Sequence, residues 1–342
     1  MANYGQGTRD QEQGTSGRLA PNPCSLVAGH WLAGFWRRFS RNKLAVAGLV
    51  LVLVMFFTGI FAPWLAPYSY TEMNLDAVEQ MPSLAHPLGT DELGRDQLSR
   101  IIWGARTAVI IAPTATFFGV SLGLLLGLLA GYYRGWVETL VMRLADILFA
   151  FPGILLAILI AATVQSRFEA WLKGFEALEG FVKAGFAQVL VVIVALSAVG
   201  WPGMARLVRG QVLSLREEQF VEAAWAIGAR PWRVITRHIL PNALAPIVVS
   251  VSMSMGGAIM AEAGLSFMGI GIRPPTPSWG ALIIDNYSFW STRAAPVLLW
   301  LPALIVGAMV AAFNFVGDGL NEAMRQRGNE ATRQRGDEAM RR

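Results

Sequence analysis

The chain has 342 residues, 54% of them hydrophobic and only 15% charged, with a mean hydropathy of +0.46. That is too apolar for a soluble domain of this length and places it among polytopic membrane proteins. The net charge of +5 comes without the aromatic interleaving or fold of a nucleic-acid binder, and a single cysteine, Cys24, excludes both an intrachain disulfide framework and a thiolate metal site.

Residues 1–30 form a tail, Gly-, Gln- and Ser-rich over its first 25 positions, which lacks the apolar content to fold and is expected to be disordered. From Trp31 to Lys43 aromatics alternate with four cations, the composition of an interfacial amphipathic helix leading into a first span. Runs long enough to cross a bilayer, about 20 residues, fall near 44–66, 108–131, 147–164, 188–205, 243–269 and 297–316. The first is too long and too well flanked for a cleaved signal peptide, so 31–66 reads as interfacial helix plus anchor. The chain then divides into an outside loop at 67–103, a membrane domain at 104–321 that includes a polar loop at 206–241, and a charged tail at 322–342. That tail carries an imperfect octapeptide duplication at 325–340 and reads as solvated.

With the N-terminus inside, 20 of the 28 Lys and Arg residues fall in cytoplasmic segments; Arg95, Arg100, Arg106, Arg167, Lys173, Lys183, Arg273 and Arg293 remain outside. This bias predicts that both termini and the loop at 206–241 are cytoplasmic. The histidines His30, His86 and His238 are far apart and fall on both sides of the membrane, so no metal site is expected.

The loop at 206–241 is a polar interruption between two strongly apolar spans. Residues 218–228 read as a short helix carrying Glu222, with Ala223, Ala224 and Ala226 as a close-packing surface and Gly228 as a turn free of a Cβ penalty. Pro231 marks the start of a second helix, and Pro241 is expected to close the segment. A structured, charged loop held between membrane helices suits presentation to another protein. Glu222 is expected to fix it by capping or by pairing with Arg230 or Arg233.

Ionisable groups inside hydrocarbon are costly unless paired or facing water. Arg143 and Asp146, three apart, share a helix face and are expected to neutralise each other. Glu262, beside Gly256, Gly257, Ala258, Ala261 and Ala263, is read either as lining a pathway or as bracing its helix. Asn314 and Asp318 are polar positions of the last span with the same two readings.

In the outside loop, Gly89 and Gly94 offer turn geometry, while Asp91, Arg95 and Asp96 are placed to pair locally beside the second span. The string His86-Pro87-Leu88-Gly89-Thr90-Asp91-Glu92-Leu93-Gly94-Arg95-Asp96, with Ser99-Arg100 after it, resembles the signature of the second permease subunit of dipeptide, oligopeptide and nickel ABC importers. Glu222-Ala223-Ala224-Trp225-Ala226-Ile227-Gly228-Ala229, with Arg233 and His238-Ile239-Leu240-Pro241-Asn242, is similar to the EAA loop through which such permeases dock on a cytoplasmic ATPase. Matches such as Arg41-Asn42-Lys43, Met142-Arg143-Leu144-Ala145-Asp146 and Asn314-Phe315-Val316-Gly317-Asp318 extend the resemblance from about Trp36 to about Asn321.

The resemblance implies an all-α integral membrane protein with the six helices of the type I ABC importer permease fold. It also implies a bacterial inner-membrane location, a second permease subunit as heterodimer partner, two cytoplasmic ATPase subunits and a periplasmic substrate-binding protein. ATP and Mg would be bound in the ATPases and no cofactor by this chain. One departure from the family is Gln165–Phe186, an apparent insertion whose apolar residues recur at helical spacing; it reads as an extra amphipathic helix on the outer membrane face. No phosphate-binding G-x-x-x-x-G-K-[ST], Ser-His-Asp or HExxH arrangement occurs in a plausible context, so no enzyme activity is expected of the chain itself. An ion-driven transporter is the alternative from another class. It should show internal repeats and interrupted helices at matched positions, and neither is visible. The resemblance implies peptides as the cargo, with nickel or another small solute of the same family as the alternative.

Overall fold

The computed structural model describes residues 34–175, 185–285 and 296–340. Six of its helical stretches are long and apolar enough to cross a membrane. α1 (Lys43–Ile60) is the first; its N-cap Asn42 accepts a hydrogen bond from the Ala45 amide at 3.1 Å. The stub α2 (Ala62–Leu65) follows, with Pro63 in its first turn, where a missing N–H costs nothing. The second span, α3 (Gln97–Tyr133), has 37 residues, about 55 Å at 1.5 Å per residue, and so projects well beyond the ~30 Å hydrocarbon layer.

α4 (Gly135–Phe149) and α5 (Gly153–Lys173) follow, then α6 (Phe186–Arg216), α7 (Gln219–Ala226), α8 (Pro231–Val234), a π-turn at Ile235–Ile239, α9 (Leu240–Phe267), α10 (Trp279–Asp285) and α11 (Pro296–Met340). With six spans, both ends of the described chain, at Gly34 and Met340, lie on one side, together with α7 and α8. That side is called the loop side here, and the side bearing 67–96 and 268–285 the cap side.

Glycine spacing sets the tightest contact. Gly119, Gly123, Gly127 and Gly131 form a four-residue repeat on α3 that faces α6. A Cβ on Gly123 would stand 2.6 Å from the Trp201 carbonyl, and one on Gly127 would stand 2.7 Å from that of Ala205. Packing between backbones replaces hydrophobic drive where the surroundings are as apolar as the helices. α11 packs between α1 and α9, and α1 in turn lies against α3. Four of these elements, α1, α3, α9 and α11, share one core with α10 around Ile259, Leu282 and Phe313.

Three sequence expectations change. The third span is not 147–164: the helix breaks at 150–152, because the residue before Pro152 is driven out of the α region. α4 packs its Val141 and Ala145 against Ala130, Trp201 and Ala205, while α5 runs on to the cap side. The third span is therefore α5 itself, continuous from Gly153 to Lys173, and α4 precedes it as a separate helix. Residues 165–173 are helical but continue α5 instead of forming a separate element, since nothing between Gly153 and Lys173 breaks the helix before Gly174; 176–184 lie outside the described residues. Lastly, Pro241 does not end a helix. The π-turn shifts the hydrogen-bond register ahead of it, with the Leu240 amide donating to the Ile235 carbonyl, so that α8, the π-turn and α9 run as one helix. The tail at 1–30 is likewise outside the described residues, and α11 carries the backbone of 322–340 as helix.

Candidate functional site

The loop between the fourth and fifth spans is built in three steps. α7 buries Val221 and Ala224 against Val208 and Val212 of α6 and against Val234, Ile235 and Ile239. Its C-terminus is a Schellman motif: Gly228 takes φ +78°, its amide donates to the Trp225 carbonyl at 2.9 Å, and the Ala229 amide donates to the Ala224 carbonyl at 3.0 Å. Its flank is pinned by a stack, in which Trp225 lies 6.0 Å from Tyr132 at 15°. The Arg216 guanidinium sits within 5.8 Å of both ring centroids and donates to the Tyr132 carbonyl at 2.8 Å. The α7 helix is thus fixed to the ends of both α3 and α6. Arg216 and Tyr132 escaped the sequence analysis; their only signal is position, each at the loop-side end of a span with a cation or ring to spare.

What the loop leaves uncovered is apolar. Ile227 is 85% exposed and Trp232 72%, and Phe220 and Ala223 are also exposed. A cleft of about 560 Å³ runs between them, lined by Phe220, Ala223, Ala224, Ile227, Gly228, Ala229, Arg233, Arg237 and His238. Its cations and its exposed apolar rim are chemically suited to a partner surface that is acidic and apolar. Glu222 does not cap α7 and pairs with neither Arg230 nor Arg233: its carboxylate is exposed and makes no hydrogen bond with the described residues. Its backbone amide, donating to the Glu218 carbonyl, is used in the helix. Asn242 holds the continuous helix by donating from Nδ2 to the His238 carbonyl at 2.6 Å, and Pro241 is exposed beside it.

The other polar positions are scattered. Asp146 pairs with Arg206 of α6 at 2.6 Å, not with Arg143, because the facing helix brings a guanidinium closer than the next turn does. Arg143 instead lines an open cleft with Glu138, Asp146, Arg206 and Arg209, where Arg209 is bonded to Glu138. Glu262 is 2% exposed and accepts from the Ser266 hydroxyl at 2.7 Å, which itself accepts from the Ile272 amide at 2.9 Å. It braces the turn after α9. Asn314 and Asp318 are exposed one turn apart on α11. None of these five residues bonds another.

On the cap side the signature loop closes on itself. His86 Nδ1 lies 3.0 Å from Asp96 Oδ1, and Asp96 caps α3 by accepting from the Ser99 amide and hydroxyl, both at 2.7 Å. The carboxylate of Asp91 accepts from Arg95 and Arg100, each at 2.7 Å, and Arg100 reaches on to Asp285 at 2.8 Å. Thr90 bridges to Asp96, and Gly89 and Gly94 both take positive φ. Thr107 donates to the Pro277 carbonyl and Trp279 to that of Ile101, so that 277–285 is tied down onto α3.

Similarity to known proteins identifies the family. Residues 123–328 match the family model of the binding-protein-dependent transport system inner membrane component. The chain belongs to that family. It is a permease subunit of an ABC-class importer, a multi-pass inner-membrane protein and a transport subunit in place of an enzyme. Residues 31–87 match the N-terminal TM domain of oligopeptide transport permease C. Glutathione transport system permease proteins GsiD of Escherichia coli O157:H7 and Shigella boydii serotype 4 (strain Sb227) are 41% identical over 291 residues, which cover 85% of this chain and 88% of theirs. Permeases of this family work with ATPase and substrate-binding partners.

Proposed function

We propose that this permease carries small peptides inward as one half of a heterodimer with a second permease, and that α7 and the start of the α8–α9 helix form its ATPase-docking site. One observation carries the docking assignment: a short helix locked at its base by a Schellman turn and a cation–aromatic stack, yet exposing Ile227 and Trp232 to solvent. A rigid lever with a sticky face transmits force to the spans it is fused to. Glu222, Ala223, Gly228, Ala229, Arg233 and His238 make that face, with Pro241 and Asn242 at its junction with the fifth span. Two ATPases would bind ATP and Mg, and their approach would move α7. The cation bias supports a loop side in the cytoplasm, both termini included, and a periplasmic binding protein meeting the cap. The resemblance to the glutathione permeases favours a glutathione-sized peptide over nickel as cargo.

The test is uptake of labelled glutathione and of an unrelated tripeptide by proteoliposomes holding the whole complex with ATP inside the docking compartment. Uptake that needs both ATP hydrolysis and the binding protein is expected. Uptake driven by an ion gradient without ATP would overturn the reading in favour of a secondary transporter.

A further inference from the structure

A cavity of about 350 Å³ lies where α3, α5, α6 and α9 meet. Its wall is made mainly of small residues, and beside Gly200 and Gly257 there is open space where a side chain would otherwise stand. Two features of this wall are polar. The first turn of α5 opens onto it through Gly153 and Ile154, and that helix has no side-chain cap, because Pro152 precedes it. The first amides of a helix have no partner within the helix and carry its positive end. The other feature is Thr116, 6% exposed, whose hydroxyl is buried without a hydrogen-bond partner. A hydroxyl in a helix ordinarily finds the carbonyl one turn back or a neighbour; leaving it unmet inside a protein costs about 1–3 kcal/mol. Ser254 of α9 adds a second hydroxyl to the lining. No lysine, arginine, aspartate or glutamate lines the cavity.

We infer that this cavity is a transit subsite for the carboxylate of the cargo, held by the α5 amides together with the Thr116 and Ser254 hydroxyls. The break at 150–152 is what supplies the site, since one continuous helix through α4 and α5 would bury those amides in its own ladder. A helix start that opens onto a cavity can hold an anionic group without a fixed cation, and an anion held this way can leave again. The small walls leave room for a short side chain and exclude a bulky one. The assignment rests on the importer reading above.

The complex is reconstituted with Cys24→Ser and Ser254→Cys in this chain, and modification is followed by the chain's intact mass. An anionic sulfonatoethyl methanethiosulfonate is expected to react about tenfold faster than its cationic trimethylammonium counterpart, the scale of a helix terminus acting on unit charge. Adding Thr116→Val should narrow that preference. Equal rates, a cation preference or no reaction with either reagent would overturn the subsite. In the Ser254 background, Thr116→Val is expected to lower glutathione uptake about tenfold, the effect of one hydrogen bond to a charged group. Binding-protein-stimulated ATPase should stay unchanged and Thr116→Ser should rescue uptake. Unchanged uptake, or uptake and ATPase lost together, would count against it. If the unmodified complex failed to import any peptide while the anion preference persisted, the peptide reading would fail and the anion site would stand.

Discussion

The loop and the cap are both polar, structured and tied to the ends of the same long helix α3, yet they treat their side chains in opposite ways. On the cap side the buried charges of the signature loop are met: Asp91 by two guanidinium groups, Asp96 by His86 and by the helix start it caps. Asp91, Arg95, Asp96 and Arg100 are all buried, at no more than 6% exposed. On the loop side the backbone is fixed just as firmly, but Glu222 has no partner among the described residues and Ile227 and Trp232 stand in solvent. A closed network holds a shape; an open face attached to a rigid base is held ready for something else. The same contrast separates Glu262, met by Ser266 inside the protein, from Asn314 and Asp318, which α11 leaves exposed.

Substitutions can break this contrast. Asp91→Ala would leave Arg95 buried without its carboxylate and Arg100 with Asp285 alone, which costs about 3–5 kcal/mol, and a large fall in the detergent unfolding temperature is expected. Gly123→Leu forces a side chain against the Trp201 backbone and should cost about 1–3 kcal/mol, read as reduced stability and membrane yield. Gly228→Val places a β-branched residue at φ +78° for about 1–2 kcal/mol of local strain, so uptake should fall while most of the unfolding temperature is retained. Smallest is Glu222→Gln, within about 0.5 kcal/mol for an exposed site; its effect should appear only as weakened coupling when the ATPases are present. A Glu222 change as destabilising as Asp91→Ala would erase the distinction between the two regions.

Much of this was legible in the chain. Apolar run length gave six spans, because the bilayer sets the length and the residues report it directly. Gly228 and Pro231 were legible because a turn after a helix and a first turn each demand one residue type. The partners of charged residues were not: spacing along one helix pointed Asp146 to Arg143, whereas the facing helix supplies Arg206. Pro241 misled for a related reason, since a π-turn upstream lets a proline sit within a continuing helix. Tyr132 lies 84 residues before Arg216 in sequence and meets it and Trp225 only through the packing of α3 on α6. The break at Pro152 fell inside a run whose hydropathy alone looked continuous, so composition passed over the feature that opens the membrane cavity.

The proposed docking face at the C-terminal end of α7 serves an ATPase and contributes nothing to the fold. Ile227→Asp tests it most directly, through co-purification of the ATPase subunits with the complex alongside the unfolding temperature of the permease. The ATPases are expected to be lost, uptake with them, while the unfolding temperature is unchanged. Full retention of the ATPases and of uptake would contradict it.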